Sequence, residues 1–280
     1  MITSQLISRI VERLQPIPGI QAIVLGGSRA RGTHTPTSDI DLGIYYQPTA
    51  PLDLAALADV ATSIDDEQRT ELVTEIGGWG PWINGGGWLR VQGIPVDFLY
   101  RDLDQVARII ADCQAGQFEI AYQPGHPHGF ASHIYLAEIA LCQPLYDPQQ
   151  TIARLKAETQ PYPIALKHAI IRRFAWEAEF SLLNAHKSVS RSDVAYAAGC
   201  CFRCVACLAQ TLFALNERPW MNEKGAVAIA TTFPLCPPNF QPRVEDAFGR
   251  LNTTAEAIAG AIATLERLVQ ETQALVGEMR

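Results

Sequence analysis

The sequence predicts an α+β protein in which a mixed-sheet domain is followed by an all-helical bundle. Three observations predict it. Short apolar runs and period-two alternation, the marks of strands, fall within the first 125 residues. Beyond residue 128 the apolar positions recur at helical spacing, with prolines at most of the joints. The length of 280 residues is enough for two modest cores. The punctuated stretch Gln123-Pro124-Gly125-His126-Pro127-His128-Gly129 marks the boundary, giving a domain of residues 1–125 and a helical domain of residues 126–280.

The first element is a helix over Ile2–Leu14, with Ile2, Leu6, Ile10, Val11 and Leu14 on one face. Pro16 and Pro18-Gly19 end it. Ile20–Leu25 is an apolar run that stops at Gly26-Gly27, as a core strand does. From residue 39, Ile40, Leu42, Ile44 and Tyr46 alternate with Asp39, Asp41, Gly43 and Tyr45, which is a second strand. An amphipathic helix is expected over Leu52–Ile64, followed by the acidic patch Asp65-Asp66-Glu67. The stretch Gly77–Trp88 is rich in glycine and tryptophan. It has no Walker lysine, so it is either a wide turn with tryptophans packed as core or a flexible lip over a base or sugar. Trp88–Gln92 and Ile94–Tyr100 read as a hairpin joined at Gly93, with Asp97 on the face opposite Val96, Phe98 and Tyr100. A helix over Asp102–Gln114 closes the domain. His126 and His128 do not make a zinc site, which needs three or four ligands.

In the second domain strands are expected to stop. Helices are read over Ala131–Cys142, Gln149–Glu158, Ile164–Lys187, Arg191–Asn216, Val244–Arg250 and Thr253–Met279. Cys200, Cys201, Cys204 and Cys207 resemble an iron–sulfur run on paper. Cys200, Cys204 and Cys207 are spaced i, i+4 and i+7 within an apolar helix, with no turn between them, so core packing is the better reading.

The chemistry gathers between Val24 and Tyr46. Asp39 and Asp41 project from one face of a strand, roughly 6–7 Å apart along the chain. Such a pair repels itself unless a cation lies between, and paired hard oxygen ligands suit Mg²⁺. Gly26 and Gly27 allow backbone N–H groups close to an anion, Ser28 adds a hydroxyl, and Arg29 and Arg31 add positive charge for phosphate. A phosphate cradle beside metal carboxylates is equipment for phosphoryl or nucleotidyl transfer.

Gly27-Ser28, ten residues, and Asp39-x-Asp41 resemble the signature of the polymerase-β-like nucleotidyltransferase superfamily. The wording G-G-S-R-A-R-G and S-D-I-D-L is similar to the minimal and the aminoglycoside nucleotidyltransferases. The resemblance implies that Asp39 and Asp41, with Asp97 as the third carboxylate on a neighbouring strand, hold two Mg²⁺ ions, and that the Gly-Ser turn binds the triphosphate of ATP or another nucleoside triphosphate. It also implies a helical bundle beside the catalytic domain, and Lys224 in Asn222-Glu223-Lys224-Gly225 stands where the aminoglycoside adenylyltransferases carry a triphosphate lysine. Glu177, Glu179 and Asp193 are candidates to bind the acceptor. Glu177 and Glu179 are two apart and cannot share a helix face, and the sequence does not choose between them. Asp193 also has a plain capping role.

Composition narrows the partners. Apolar residues make up 48% and charged residues 18%, the balance of a globular chain. A net charge of −7, with no block of lysine or arginine, argues against a nucleic-acid substrate. No unbroken apolar run reaches the length of a membrane span, and no secretory signal opens the chain. Seven cysteines, mostly in apolar segments, fit a reducing cytoplasm. The expected activity is Mg²⁺-dependent transfer of a nucleoside monophosphate, AMP from ATP, onto a hydroxyl of a small molecule of aminoglycoside type. Two alternatives are an AMP-transferring antitoxin that modifies a partner protein and a catalytically silent nucleotide-binding module.

Overall fold

The computed structural model of the chain describes residues 2–278. The side chain of Ile2, placed by the sequence on a helical face, and Met279, placed at the end of the last helix, lie outside the described residues. Two compact units are present. The first comprises the chain up to Asp112 together with Phe118–Pro161, and the second comprises Cys113–Gln117 and the chain from Tyr162 onward.

The first unit contains α1 (Ile2–Leu14), β1 (Ala22–Leu25), α2 (Gly27–Ala30), β2 (Ile40–Tyr46), α3 (Leu54–Ile64), β3 (Gly86–Val91), β4 (Ile94–Asp102) and most of α4 (Leu103–Gln114). It continues through β5 (Ile120–Ala121), β6 (Phe130–Ala131), α5 (Ile134–Leu141), β7 (Gln143–Tyr146) and α6 (Thr151–Glu158). The main sheet has the order β3-β4-β2-β1-β7. β2 and β4 are parallel and the other neighbours antiparallel, so the sheet is mixed, as expected.

The period-two alternation sorts the two faces. Ile40, Leu42 and Ile44 stand opposite Val96, Phe98 and Tyr100, and all six are fully buried. They share a core with Leu6, Ile10 and Leu14 of α1 and Leu57 and Ala61 of α3. On the other face Asp41 stands opposite Asp97, Gly43 opposite Leu99 and Tyr45 opposite Arg101. The far end of that face is closed by α5. Arg101 donates from Nε at 2.7 Å and Nη2 at 2.6 Å to the Glu138 carboxylate, and its guanidinium lies 5.3 Å from the Tyr135 ring centroid. Burial works against the Arg101 charge, but Glu138 more than offsets it and raises its pKa. Burial, then the Glu138 charge, pushes the Tyr45 phenol up as well. One end of this face is therefore sealed, and the other carries the aspartates.

Strands do not stop at residue 128. β6 and β7 follow, and β7 pairs antiparallel with β1 as an edge of the main sheet. Pro144 reads from sequence as a joint between helices, but an edge strand tolerates a residue that cannot donate to a ladder. Residues 126–161, assigned from sequence to the helical domain, accordingly cluster with the first unit. In the glycine–tryptophan stretch, Trp82 is buried against Phe130 and Tyr135, and Trp79 stacks on the exposed Trp88 at 4.5 Å.

Asp65, read from sequence as part of an acidic patch, is buried. It accepts hydrogen bonds from Arg69 Nε and Nη2 at 3.0 and 2.6 Å and from the Arg90 amide at 3.0 Å. The Arg69 contacts hold its carboxyl well below the usual carboxylate range. A depressed folded-state pKa contributes stability that is present above about pH 4 and is lost as pH falls further. Asp65→Asn should cost about 1.5–3 kcal/mol at neutral pH, with the gap to wild type narrowing below about pH 4. Chemical denaturation at pH 7 and pH 3 measures both; an equal gap at the two values would contradict the assignment.

The second unit holds α7 (Ile164–Val189), α8 (Val194–Leu215), α9 (Ala226–Thr231), α10 (Phe240–Arg250) and α11 (Ala255–Gly277). α8 has the length and apolar composition of a membrane span, and 72% of its most apolar stretch is buried within the fold. Cys201, Cys204 and Cys207 are buried, while Cys200 is half-buried. Burial raises the Cys204 thiol well above its ordinary range and pushes Cys201 up to about 11, the reverse of what a thiolate ligand needs.

Candidate active site

The site is built where β1 turns back toward β2. β1 ends at Leu25, and Gly26 donates its N–H to the Asp41 carbonyl at 2.8 Å, holding the turn against the aspartate strand. Gly27 then takes φ +58° and opens the four-residue α2. A side chain is excluded there, since a Cβ on Gly27 would lie 1.7 Å from Asp41 Oδ2. Backbone and carboxylate meet at van der Waals contact, so the turn and the acid form one surface.

Asp39, just before β2, and Asp41 within it share a strand face, and the parallel register sets Asp97 directly beside Asp41. All three are half-buried, and each offers an oxygen within 4.8 Å of the others. Among the described residues this is the one group of three or more His, Cys, Asp or Glu side chains that could hold a metal ion. Three carboxylates at that spacing repel strongly in a partly desolvated site, and a divalent cation with a taste for hard oxygen removes the conflict. The donor set fits Mg²⁺.

The two arginines of the motif part company. Arg29 is buried, and its Nε donates to the Asp39 carbonyl at 2.7 Å and its Nη2 to the Ser38 carbonyl at 2.5 Å. Its charge thus holds the residue that precedes β2. Arg31 is exposed, with Nε 3.2 Å from the Gly27 carbonyl. Ser28 is half-buried at the start of α2. Arg29→Lys should keep the fold but lose the paired contact, letting Asp39 drift. With Asp39 taken as a metal ligand, the usual worth of groups that orient such ligands gives an expected fall in turnover of roughly 10–100-fold. The apparent Mg²⁺ requirement should rise, and high Mg²⁺ should restore part of the activity. A pure increase in KM for ATP would point instead to a phosphate contact.

The remaining candidates belong to other segments of the chain. Lys224 is in the second unit, exposed in the loop before α9, with its N–H bonded to Asn222 Oδ1 at 3.1 Å. Asp193 caps α8 by accepting from the Tyr196 amide at 3.1 Å. Glu177 is buried, whereas Glu179 is exposed and accepts from Gln273. His126 packs edge-on against Phe130, and burial lowers its pKa. The residues that sequence reasoning missed are Arg101 and Glu138. They stand 37 positions apart, and only the closing of α5 onto β4 brings them together.

Residues 5–105 match the family model described as nucleotidyltransferase domain. None of the curated proteins compared matches the chain. Among solved structures, the chain is similar to a nucleotidyltransferase-like protein from Exiguobacterium sibiricum 255-15, at 13% identity and a TM-score of 0.44, over 98% of this chain and 79% of that one. The matched segment contains the glycine turn and all three aspartates at the spacing and in the geometry just described. Over residues 5–105 the chain is thus similar to a nucleotidyltransferase domain.

Proposed function

We propose that the chain moves a nucleoside monophosphate, AMP from ATP, onto a hydroxyl of a small molecule in a Mg²⁺-dependent reaction. The observation that carries this reading is the convergence of Asp39, Asp41 and Asp97 within 4.8 Å beside a glycine turn that touches one of them. Those three carboxylates would hold the metal, which when bound neutralises phosphate charge and aligns the attacked phosphorus. The N–H of Gly27, the Ser28 hydroxyl and the exposed Arg31 would donate to the phosphate oxygens. Asp97 would accept the proton that leaves the acceptor hydroxyl. The acceptor oxygen bonds to the α-phosphorus, the bond to the leaving pyrophosphate breaks, and the proton passes to the carboxylate. A net charge of −7 supports a small acceptor over a nucleic acid.

ATP labelled at the α-phosphate, incubated with the protein, Mg²⁺, a panel of hydroxylated metabolites and antibiotics, and cell lysate, tests the reading. A labelled small-molecule ester with release of pyrophosphate is the expected result. Label confined to lysate protein would replace the small acceptor with a protein one. ATP binding with no labelled product under any condition would leave a silent binding module.

A further inference from the structure

A cavity of about 590 Å³ lies between α7 and α8, lined wholly by residues of the second unit. Its volume is that of a small-molecule site. Trp176, Phe180 and Tyr196 line it and remain 56%, 47% and 47% exposed. Trp176 and Phe180, one helical turn apart, stack with centroids 5.1 Å apart and planes 13° from parallel. That pair presents a flat apolar wall to solvent, an unfavourable arrangement for a side chain without a partner.

Glu177, also lining the cavity, is 4% exposed. Arg203 pairs with its Oε1, and Arg173 Nη2 lies 3.2 Å from its Oε2. The Arg173 contact is an ion pair without hydrogen-bond geometry, so buried Oε2 accepts no hydrogen bond. A buried carboxylate oxygen in that condition is costly, and a donor brought to it by a small shift of the lining would relieve it. Two guanidiniums against one carboxylate leave the lining with one positive charge in excess.

Each feature selects a property of the occupant. The aromatic wall selects a planar ring, Glu177 selects an N–H or O–H donor, and the excess charge selects an anion. We infer that this cavity binds an aromatic acid whose ring carries an N–H or hydroxyl donor. The site is independent of the transfer reading and stands whether or not that reading holds.

Calorimetric titration tests it with three probes of similar size. Indole-3-carboxylate has ring, donor and negative charge; 1-naphthoate lacks the donor; tryptamine reverses the charge. Indole-3-carboxylate should bind one per chain, with 1-naphthoate and tryptamine each weaker by about tenfold or more. Trp176→Ala and Phe180→Ala change exposed side chains and so should leave the fold intact, and each should weaken indole-3-carboxylate binding by about tenfold or more. Absence of binding at about 1 mM probe would overturn the inference. So would equal affinity for 1-naphthoate, or binding that survives both substitutions together. A concentration-dependent mass in light scattering that disappears in Trp176→Ala would also overturn it, by making this wall a contact between copies of the chain.

Discussion

Asp41→Asn is expected to abolish nucleotidyl transfer while leaving the fold intact. The substitution keeps shape and volume but removes one of three carboxylates whose oxygens lie within 4.8 Å of one another. Loss of a charged oxygen ligand should remove several kcal/mol of transition-state stabilisation, hence at least about a thousandfold in rate. The metal-free protein should move the other way. With one negative charge gone, repulsion among the acids falls, and the melting temperature of metal-free Asp41→Asn should equal or exceed that of wild type. Added Mg²⁺ should raise the wild-type melting temperature and have little effect on the variant. Thermal melts with and without Mg²⁺ thus read the site without reference to any acceptor. A variant with full turnover and an unchanged Mg²⁺ requirement would remove Asp41 from the proposed metal site.

The parts of this site that are visible in the sequence are those written in local periodicity. The alternation from Ile40 to Tyr46 sets Asp39 and Asp41 on one face, and Asp97 stands out as a lone carboxylate in an apolar strand. The parallel register that sets Asp97 beside Asp41 is a tertiary fact, supplied by the pairing of β2 with β4. Composition shows that Arg29 is charged but not where its donors go, and only the folded loop turns it onto the Ser38 and Asp39 carbonyls. β7 escaped the sequence reading for a related reason. A four-residue edge strand containing Pro144 has neither the length nor the alternation to declare itself, and it forms because β1 offers it an open edge. The helical spacing of the cysteines did point to burial, although the fully buried set is Cys201, Cys204 and Cys207 rather than the stripe that begins at Cys200. A helical wheel resolves a face to about one residue, and neighbouring helices decide the rest.

Gly27→Ala should inactivate the enzyme where Gly26→Ala does not. The two glycines are adjacent and both precede Ser28, so a motif alone treats them as equivalent. Their backbones differ: Gly26 has φ −110°, open to any residue, whereas Gly27 has φ +58°, where an L side chain is strained. Their surroundings differ more. A Cβ at Gly26 would meet Asp41 Cβ at 3.6 Å, an ordinary contact, while a Cβ at Gly27 would lie 1.7 Å from Asp41 Oδ2. Alanine at 27 must therefore push back either the turn or the carboxylate, by an ångström or so. Misplacement on that scale near reacting groups costs about a hundredfold, and here it would act together on the proposed metal ligand Asp41 and the proposed phosphate cradle. Gly27→Ala should lose roughly a hundredfold or more in kcat/KM, with a higher apparent Mg²⁺ requirement and a modest fall in melting temperature. Gly26→Ala should stay within about threefold of wild type in both respects, as expected of a substitution that makes only ordinary contacts. Equal losses in the two variants would mean that the turn matters only for its flexibility; a larger loss at Gly26 would put the phosphate cradle on the wrong residue.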